Sequence, residues 1–342
     1  MIKSGIVLIG STICDEVLPV SEPGRLSYVD AQKFVSAEEL AGEELTYSVG
    51  GMATNVSVNL AKIAGGYPIA LCGKIGVDHR AEIVQETLTR HHVNTDLLLI
   101  DSQNETSCTE VFHIRMTDGT IERFFRHTLG AMGGFSAPDI PVERLNSYRL
   151  AMFGYGLLLP QLDREDKEYG AVLGRILAET QRLGVETALD FVSPDRRNLF
   201  KFLRYRRALQ YVDILCINED QACSLTDMDD PQQACRKLVS EYGAGIAVVH
   251  CGAMGVNYAF SQAEGLVVQN NFIVPEDEYK GNAGAGDAFS AGFLHGRHRG
   301  WSIAESLQFA AAAAAISLGH VSCTGAMKSE AYILNYIAER KR

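Results

Sequence analysis

Short runs of aliphatic and β-branched residues recur along the chain at 6–9, 69–72, 150–153, 185–189, 214–217 and 246–249. They are continuously apolar rather than alternating, the pattern of strands covered on both faces. Between and after them apolar positions return with helical spacing over 53–64, 78–91, 163–183, 196–209, 231–242, 285–298 and 302–318. Strand–helix alternation of this kind predicts an α/β fold, a mainly parallel sheet with helices on both faces.

Two stretches interrupt the rhythm. Residues 17–49 are too polar and irregular for a crossover helix, and 108–126 reads as a β-hairpin turning at Asp118-Gly119. Together they predict a small β-lid added to the sheet. With no repeats, low-complexity tracts or linkers, residues 1–342 read as one domain whose lid is made of insertions. The alanine run at 310–315 reads as a helix face that lets a neighbouring backbone or ligand come close.

Composition narrows the function. The chain has 342 residues, 46% hydrophobic and 21% charged, which excludes a disordered or collagenous protein. A net charge of −11 argues against capture of a nucleic-acid backbone or an anionic membrane. The eight cysteines form no C-x-x-C pair and read as free thiols of a reducing compartment. No apolar run approaches the roughly 18 residues that span a bilayer, and the first ten residues lack a signal-peptide pattern. A cytoplasmic location is therefore expected.

The strongest local signal is Gly281-Asn-Ala-Gly-Ala-Gly-Asp287, followed by a helical period. Glycines permit a tight turn, and the free amides of the helix start attract an anion. A carboxylate there would repel a phosphate, unless Asp287 removes a proton from a hydroxyl that attacks it. From the turn alone, a carboxylate favoured by the helix dipole is an equally good reading. No G-x-x-x-x-G-K-[ST] occurs, and the first strand ends in Gly10-Ser-Thr-Ile-Cys-Asp15 without G-x-G-x-x-G, so two common phosphate loops are excluded. A diglycine turn at Gly50-Gly51 leads into a helix carrying Asn55, whose amide suits a sugar hydroxyl. Asp15 lies past the first strand, where open α/β sheets bind ligands. Taken singly, these are an ordinary helix start and a loop carboxylate.

Taken in order, the motifs are specific. Asp15, G-G-x-A-x-N at 50–55, Gly73-Lys-Ile-Gly-Val-Asp78, the cluster at 218–221 and G-A-G-D at 284–287 resemble the ribokinase-like carbohydrate kinases, the PfkB family, over about residues 5–325. The resemblance implies an αβα sandwich with a β-lid and transfer of the γ-phosphoryl group of ATP, with Mg2+, to a sugar or nucleoside hydroxyl. It implies Asp287 as general base, the backbone of Gly284, Ala285 and Gly286 as anion hole, and Asp15, Gly51 and Asn55 as substrate contacts. Asn218, Gly252, Gly255 and His320 would lie on the nucleotide side, although a lone histidine such as His320 is more often structural. A sugar kinase is the favoured reading. The rivals are an adenosine-like nucleoside kinase and a catalytically weak sugar- or nucleotide-binding relative. A homodimer through the lid is a further expectation.

The chain departs from the family pattern in three places. Its N-x-x-E motif reads Asn218-Glu-Asp-Gln221, so the resemblance leaves either Glu219 or Asp220 to supply the charge near the metal, with Glu219 the candidate, or a weaker metal site. The stretch from Asp190 to Arg197 only loosely resembles the D-x-N-x-R segment of fructokinase-like relatives. Gly281 stands where relatives carry an Asp that helps hold potassium. Turnover is therefore expected to be equal in sodium, potassium and tetramethylammonium buffers, and a potassium titration at fixed magnesium and ionic strength measures this. On the lid, Arg123 and Arg126 should face opposite sides of their strand, and Arg126 is the expected substrate contact, which would suit an acidic sugar.

Overall fold

The structure, a computed structural model, describes residues 3–20, 46–115, 121–194, 198–252 and 254–340. The chain begins with β1 (Ile6–Gly10), β2 (Ile13–Val20), β3 (Thr46–Gly50), α1 (Met52–Ile63), β4 (Ile69–Ile75), α2 (His79–Arg90) and β5 (Asn94–Ile100). Then come β6 (Cys108–Arg115), β7 (Ile121–Thr128), α3 (Val142–Leu145), β8 (Leu150–Gly156), β9 (Glu165–Asp166), β10 (Gly170–Ala171), α4 (Val172–Arg182) and β11 (Glu186–Phe191). The last part holds α5 (Leu199–Arg204), β12 (Ile214–Asn218), α6 (Glu219–Thr226), α7 (Pro231–Ser240) and β13 (Ile246–Cys251). It ends with β14 (Val256–Ser261), β15 (Gly265–Asn270), α8 (Ala285–Arg299), α9 (Ile303–Ser317) and α10 (Glu330–Arg340).

Nine strands form the main sheet in the order β15-β14-β13-β12-β11-β8-β1-β4-β5. It is parallel from β13 to β5, and β14 and β15 close one end antiparallel. The continuously apolar runs are explained by β1, whose Ile6 and Leu8 join a core beneath α1, α8 and α9 while Val7 and Ile9 join the core on the opposite face. All four are fully buried, and each contributes about 1.5–3 kcal/mol by leaving water. The alanine run serves two neighbours. A Cβ on Gly292 of α8 would stand 2.8 Å from the Cα of Ala310, so small residues on both helices permit close packing. Ala311, Ala314 and Ala315 line a cavity instead.

A second sheet, β3-β2-β6-β7, is the lid. The hairpin pairs Cys108 with Thr128 through Arg115 with Ile121; its expected Asp118-Gly119 turn lies outside the described residues. Of the expected insertion at 17–49, the described part supplies the end of β2 and all of β3 but its last residue, Gly50.

Two helical expectations are shortened. The period over 163–183 is helical only in α4, because buried Asp163 accepts the amides of Leu157 (2.9 Å) and Leu159 (3.0 Å) and the Tyr205 hydroxyl (2.5 Å), which ties its segment into a loop. The period over 196–209 is helical in α5 and continues as two short 3-10 turns. The sequence pattern did not mark β5, β14, β15, α6 or α10. Among the described residues no helix is long and apolar enough to cross a membrane.

Candidate active site

The carboxyl ends of β8, β11, β12 and β13 converge on the start of α8. Gly284 caps that helix with φ +73°, and a Cβ there would lie 2.4 Å from Cβ and 2.6 Å from Cα of Cys323. The turn thus needs glycine twice, for its left-handed backbone and for the space. Gly284→Ala should lower stability by about 2–5 kcal/mol, the sum of left-handed strain and overpacking. A denaturant titration reads the loss.

In the first turn, Asp287 is only 3% exposed. Its Oδ2 accepts from Asn55 Nδ2 at 2.8 Å, and its Oδ1 accepts from the Tyr155 hydroxyl. Burial pushes its pKa upward, while the hydrogen bonds from Tyr155 and Asn55 pull it back. The helix opens at Ala285, whose amide donates to the Asn282 carbonyl at 3.3 Å and so is taken from the expected Gly284–Gly286 anion hole; the next two amides, of Gly286 and Asp287, have no intrahelical carbonyl by geometry. Asn55 rises from α1, which starts at Gly51 with φ +80° and a Ser11 carbonyl where a Cβ would go. The Asn55 Oδ1 is buried with no hydrogen-bond partner among the described residues. Such an acceptor is costly unless a donor arrives, as a sugar hydroxyl would.

A cavity of about 280 Å³ is lined by Asp287, Gly284, Ala285 and Gly286 together with Tyr155, Asp190, Asn218, Gln221 and His250. A second, of about 450 Å³, adjoins it across Ala285, Gly286, Asn282 and His250, and runs over Phe289 and the alanines of α9 to Gly252, Asn257 and Leu318. Burial lowers the His250 pKa to about 4, so the imidazole between the two cavities is neutral at pH 7. The smaller cavity holds the Asp287 and Asp190 carboxylates at the start of α8; the larger is walled by Phe272, Phe289 and the alanines of α9.

The lid register decides which of its side chains face the site. Directly paired residues across a sheet share a face. Ser48, Asp15, Thr109 and His127 form one row, and Tyr47, Glu16, Glu110 and Arg126 form the other. In the first row Thr109 donates to Asp15, and Thr109 Oγ1 lies 3.0 Å from His127 Nδ1. Burial, and after it the Asp287 carboxylate, raise the Asp15 pKa to about 7. Arg126 belongs to the outer row, exposed and paired through two nitrogens with Glu110. The structure does not bring it to the cleft, because the register that turns Asp15 inward turns residue 126 outward.

The other expected residues divide. Asn218 lines the smaller cavity and Gly252 the larger. Gly255 serves the β13–β14 turn with φ +73°. His320 is exposed, its Nδ1 accepts from the Ser322 amide at 3.0 Å, and it lines neither cavity. Glu219 opens α6 and also lines neither. Gln221 has a structural reason. Its Oε1 accepts from the Asn218 amide (3.0 Å) and its Nε2 donates to the Phe191 carbonyl (2.9 Å), so a glutamate would turn an oxygen against that carbonyl.

Among the described residues no three His, Cys, Asp or Glu side chains could enclose a metal ion. Asp190 lines the smaller cavity, and its Oδ1 accepts from the Phe191 amide at 2.7 Å. One carboxylate and the Asn218 amide suit a magnesium ion that keeps most of its waters. No sequence motif singles out Tyr155 or His250 as a site residue, and Asp190 enters only as the start of the loosely matching 190–197 stretch. All three sit at carboxyl ends of sheet strands, and that position was the available signal.

The model of the pfkB family carbohydrate kinases matches residues 6–330. A 5-dehydro-2-deoxygluconokinase of Listeria monocytogenes is 23% identical over 302 residues, 87% of this chain and 89% of that protein. An Arabidopsis thaliana ribokinase is 26% identical over 302 residues, 84% of this chain and 73% of its own. The structure of an Arabidopsis thaliana ribokinase complexed with ribose and ATP superposes with a TM-score of 0.76 at 21% identity, covering 98% of this chain and 99% of that one. A putative ribokinase II from E. coli, in complex with ATP and Mg2+, superposes at 0.75 and 17% identity with the same coverage. The fold is ribokinase-like.

Proposed function

The chain belongs to the pfkB family of carbohydrate kinases and is a phosphotransferase, and on that premise we propose that it phosphorylates a sugar hydroxyl from ATP with Asp287 as general base. The observation that carries this reading is a buried carboxylate at the mouth of a glycine-started helix, in a cavity that adjoins a second one across Ala285, Gly286, Asn282 and His250. In it the acceptor hydroxyl loses its proton to the Asp287 carboxylate. The freed oxygen pair forms the bond to the γ-phosphorus as the bridging bond to ADP breaks. The amides of Gly286 and Asp287 and the α8 dipole stabilise the charge gathering on the phosphoryl oxygens. Magnesium, when bound, neutralises phosphate charge, and Asp190 and Asn218 are the residues suited to hold its waters.

Asn55 and the lid row hold the acceptor. Asn55 Oδ1 accepts one hydroxyl proton, and Asp15, oriented by Thr109, accepts others. The larger cavity suits the base of ATP, seated on the alanines of α9 against Phe289. The lid, closing from above, keeps water from competing with the acceptor.

A coupled ADP-release screen over pentoses, hexoses, sugar acids and nucleosides tests the reading. Because one relative is named a 5-dehydro-2-deoxygluconokinase, that acid belongs in the panel beside ribose. Turnover with a sugar or sugar acid supports the proposal. Turnover confined to nucleosides replaces it with the nucleoside-kinase reading, and ATP binding with no acceptor at all replaces it with a binding protein.

A further inference from the structure

Tyr155 stands at the end of β8, and its hydroxyl donates to Asp287 Oδ1 from inside the smaller cavity. Its backbone is anchored as well: the Tyr155 amide donates to Ser11 Oγ at 3.2 Å, and the same oxygen accepts the Met52 amide at 2.9 Å. Met52 opens the helix that carries Asn55. One serine thus ties together the two elements whose side chains grip Asp287, with Asn55 on Oδ2 and Tyr155 on Oδ1.

This arrangement is more than packing. A buried carboxylate with free rotation would populate several orientations, and burial alone would push its pKa up. Two donors from opposite sides fix its plane and favour its charged form, leaving each oxygen a second lone pair for a substrate proton. We propose that Tyr155 is a positioning residue for phosphoryl transfer, a permanent donor that orients Asp287 and keeps it ionised. The proposal rests on Asp287 being the base. Burial, then the Asp287 and Asp190 carboxylates, hold the phenol well above its ordinary range, so it donates throughout and takes no proton itself.

The groups whose charge bears on this pair are known. Asp190 at the end of β11 and His250 at the end of β13 line the same cavity, Asp15 approaches from the lid, and Cys323 packs against Gly284. His250 and Cys323 stay neutral near pH 7, since burial lowers the first and raises the second. Asp190 and Asp15 are raised by burial and after it by the Asp287 carboxylate, so their titration is linked to that of Asp287. A readout placed on Tyr155 itself separates it from theirs.

Placing 3-fluorotyrosine at 155 preserves the shape and strengthens the donor. The 19F resonance of the free protein should step as Asp287 ionises, and the step should vanish in an Asp287→Asn background. Tyr155→Phe, assayed with ATP and the screened acceptor of highest turnover, should lower kcat about 10–100-fold, the range for losing a hydrogen bond to a charged group. The acid limb of its kcat profile should move up by about one pH unit, with ADP affinity within about twofold of wild type. The fluorinated protein should move the limb the other way, and it carries the test if Tyr155→Phe does not fold. A 19F step that persists without Asp287, or an unmoved acid limb with wild-type kcat, overturns the proposal. If Asp287→Asn alone turns over normally, the base reading fails and takes this one with it. If Asp287→Asn is inactive while Tyr155→Phe behaves as wild type, only the role of Tyr155 falls.

Discussion

Asp287→Asn is expected to lower turnover by at least about 10²-fold, the lower end of what a positioned base supplies, while ATP affinity stays at the wild-type level or tightens. The fold should tolerate the change. The substituted amide would keep one acceptor for the Tyr155 hydroxyl and would present an NH₂ toward Asn55. The Asn55 amide can answer by turning over, because its Oδ1 has no partner among the described residues and would accept that proton. Removing the charge also removes a like-sign neighbour of the phosphates. Isothermal titration with ATP and a coupled assay separate the two effects, and near-normal turnover would end the assignment.

Asp15→Asn is expected to act in two opposite directions. As a substrate contact, Asp15 accepts hydroxyls as a charged group, so its loss should raise the acceptor KM about 10–100-fold with a smaller change in kcat. As a folding element it is a liability. Its pKa is about 7 in the folded chain, against an ordinary value of 3.8. Between those values the native state binds more protons than the unfolded one, so stability falls as pH rises through that window and stays low above it. The asparagine variant lacks that penalty. Its stability advantage over wild type should therefore grow between about pH 5 and pH 8, to an upper bound of about 4 kcal/mol. Asp190 and Asp287 are raised as well, so the wild-type curve alone does not isolate Asp15; paired denaturant titrations of both proteins do. An equal difference at the two pH values would show that Asp15 ionises as it would in water.

The two expectations share a cause. A site that must take up several hydroxyls keeps unpaired acceptors and crowded carboxylates in a desolvated place, at the expense of the free protein's stability. Asn55 Oδ1, Asp15 and Asp190 each show this locally.

Much of the architecture was legible because it is written in neighbouring residues. Unbroken apolar runs mark strands covered on both faces, and six of the main-sheet strands lie where those runs fall. The glycines before Asp287 and the diglycine before α1 mark helix starts that need left-handed backbone, and both occur there. The main-sheet strands left unmarked, β5, β14 and β15, lie toward its two ends. β14 alternates buried and half-exposed positions, and β5 and β15 expose much of their length, so none carries the buried-strand signature.

What the sequence determined alone was the order of strands and helices, the two glycine turns, and the candidacy of Asp15, Asn55 and Asp287. Which groups meet was decided by tertiary structure. Asn55 reaches Asp287 across 232 residues and Tyr155 reaches it across 132. Neither distance leaves a trace in local periodicity, since both depend on β1 and β8 lying side by side beneath α1 and α8. The same holds for Arg126, since alternation along β7 separates it from residue 127 but cannot say which face looks into the cleft. Only the pairing of Asp15 with Thr109 and of Thr109 with His127 does that. Periodicity is a property of one segment, whereas a site is a property of how segments are ordered and registered against each other.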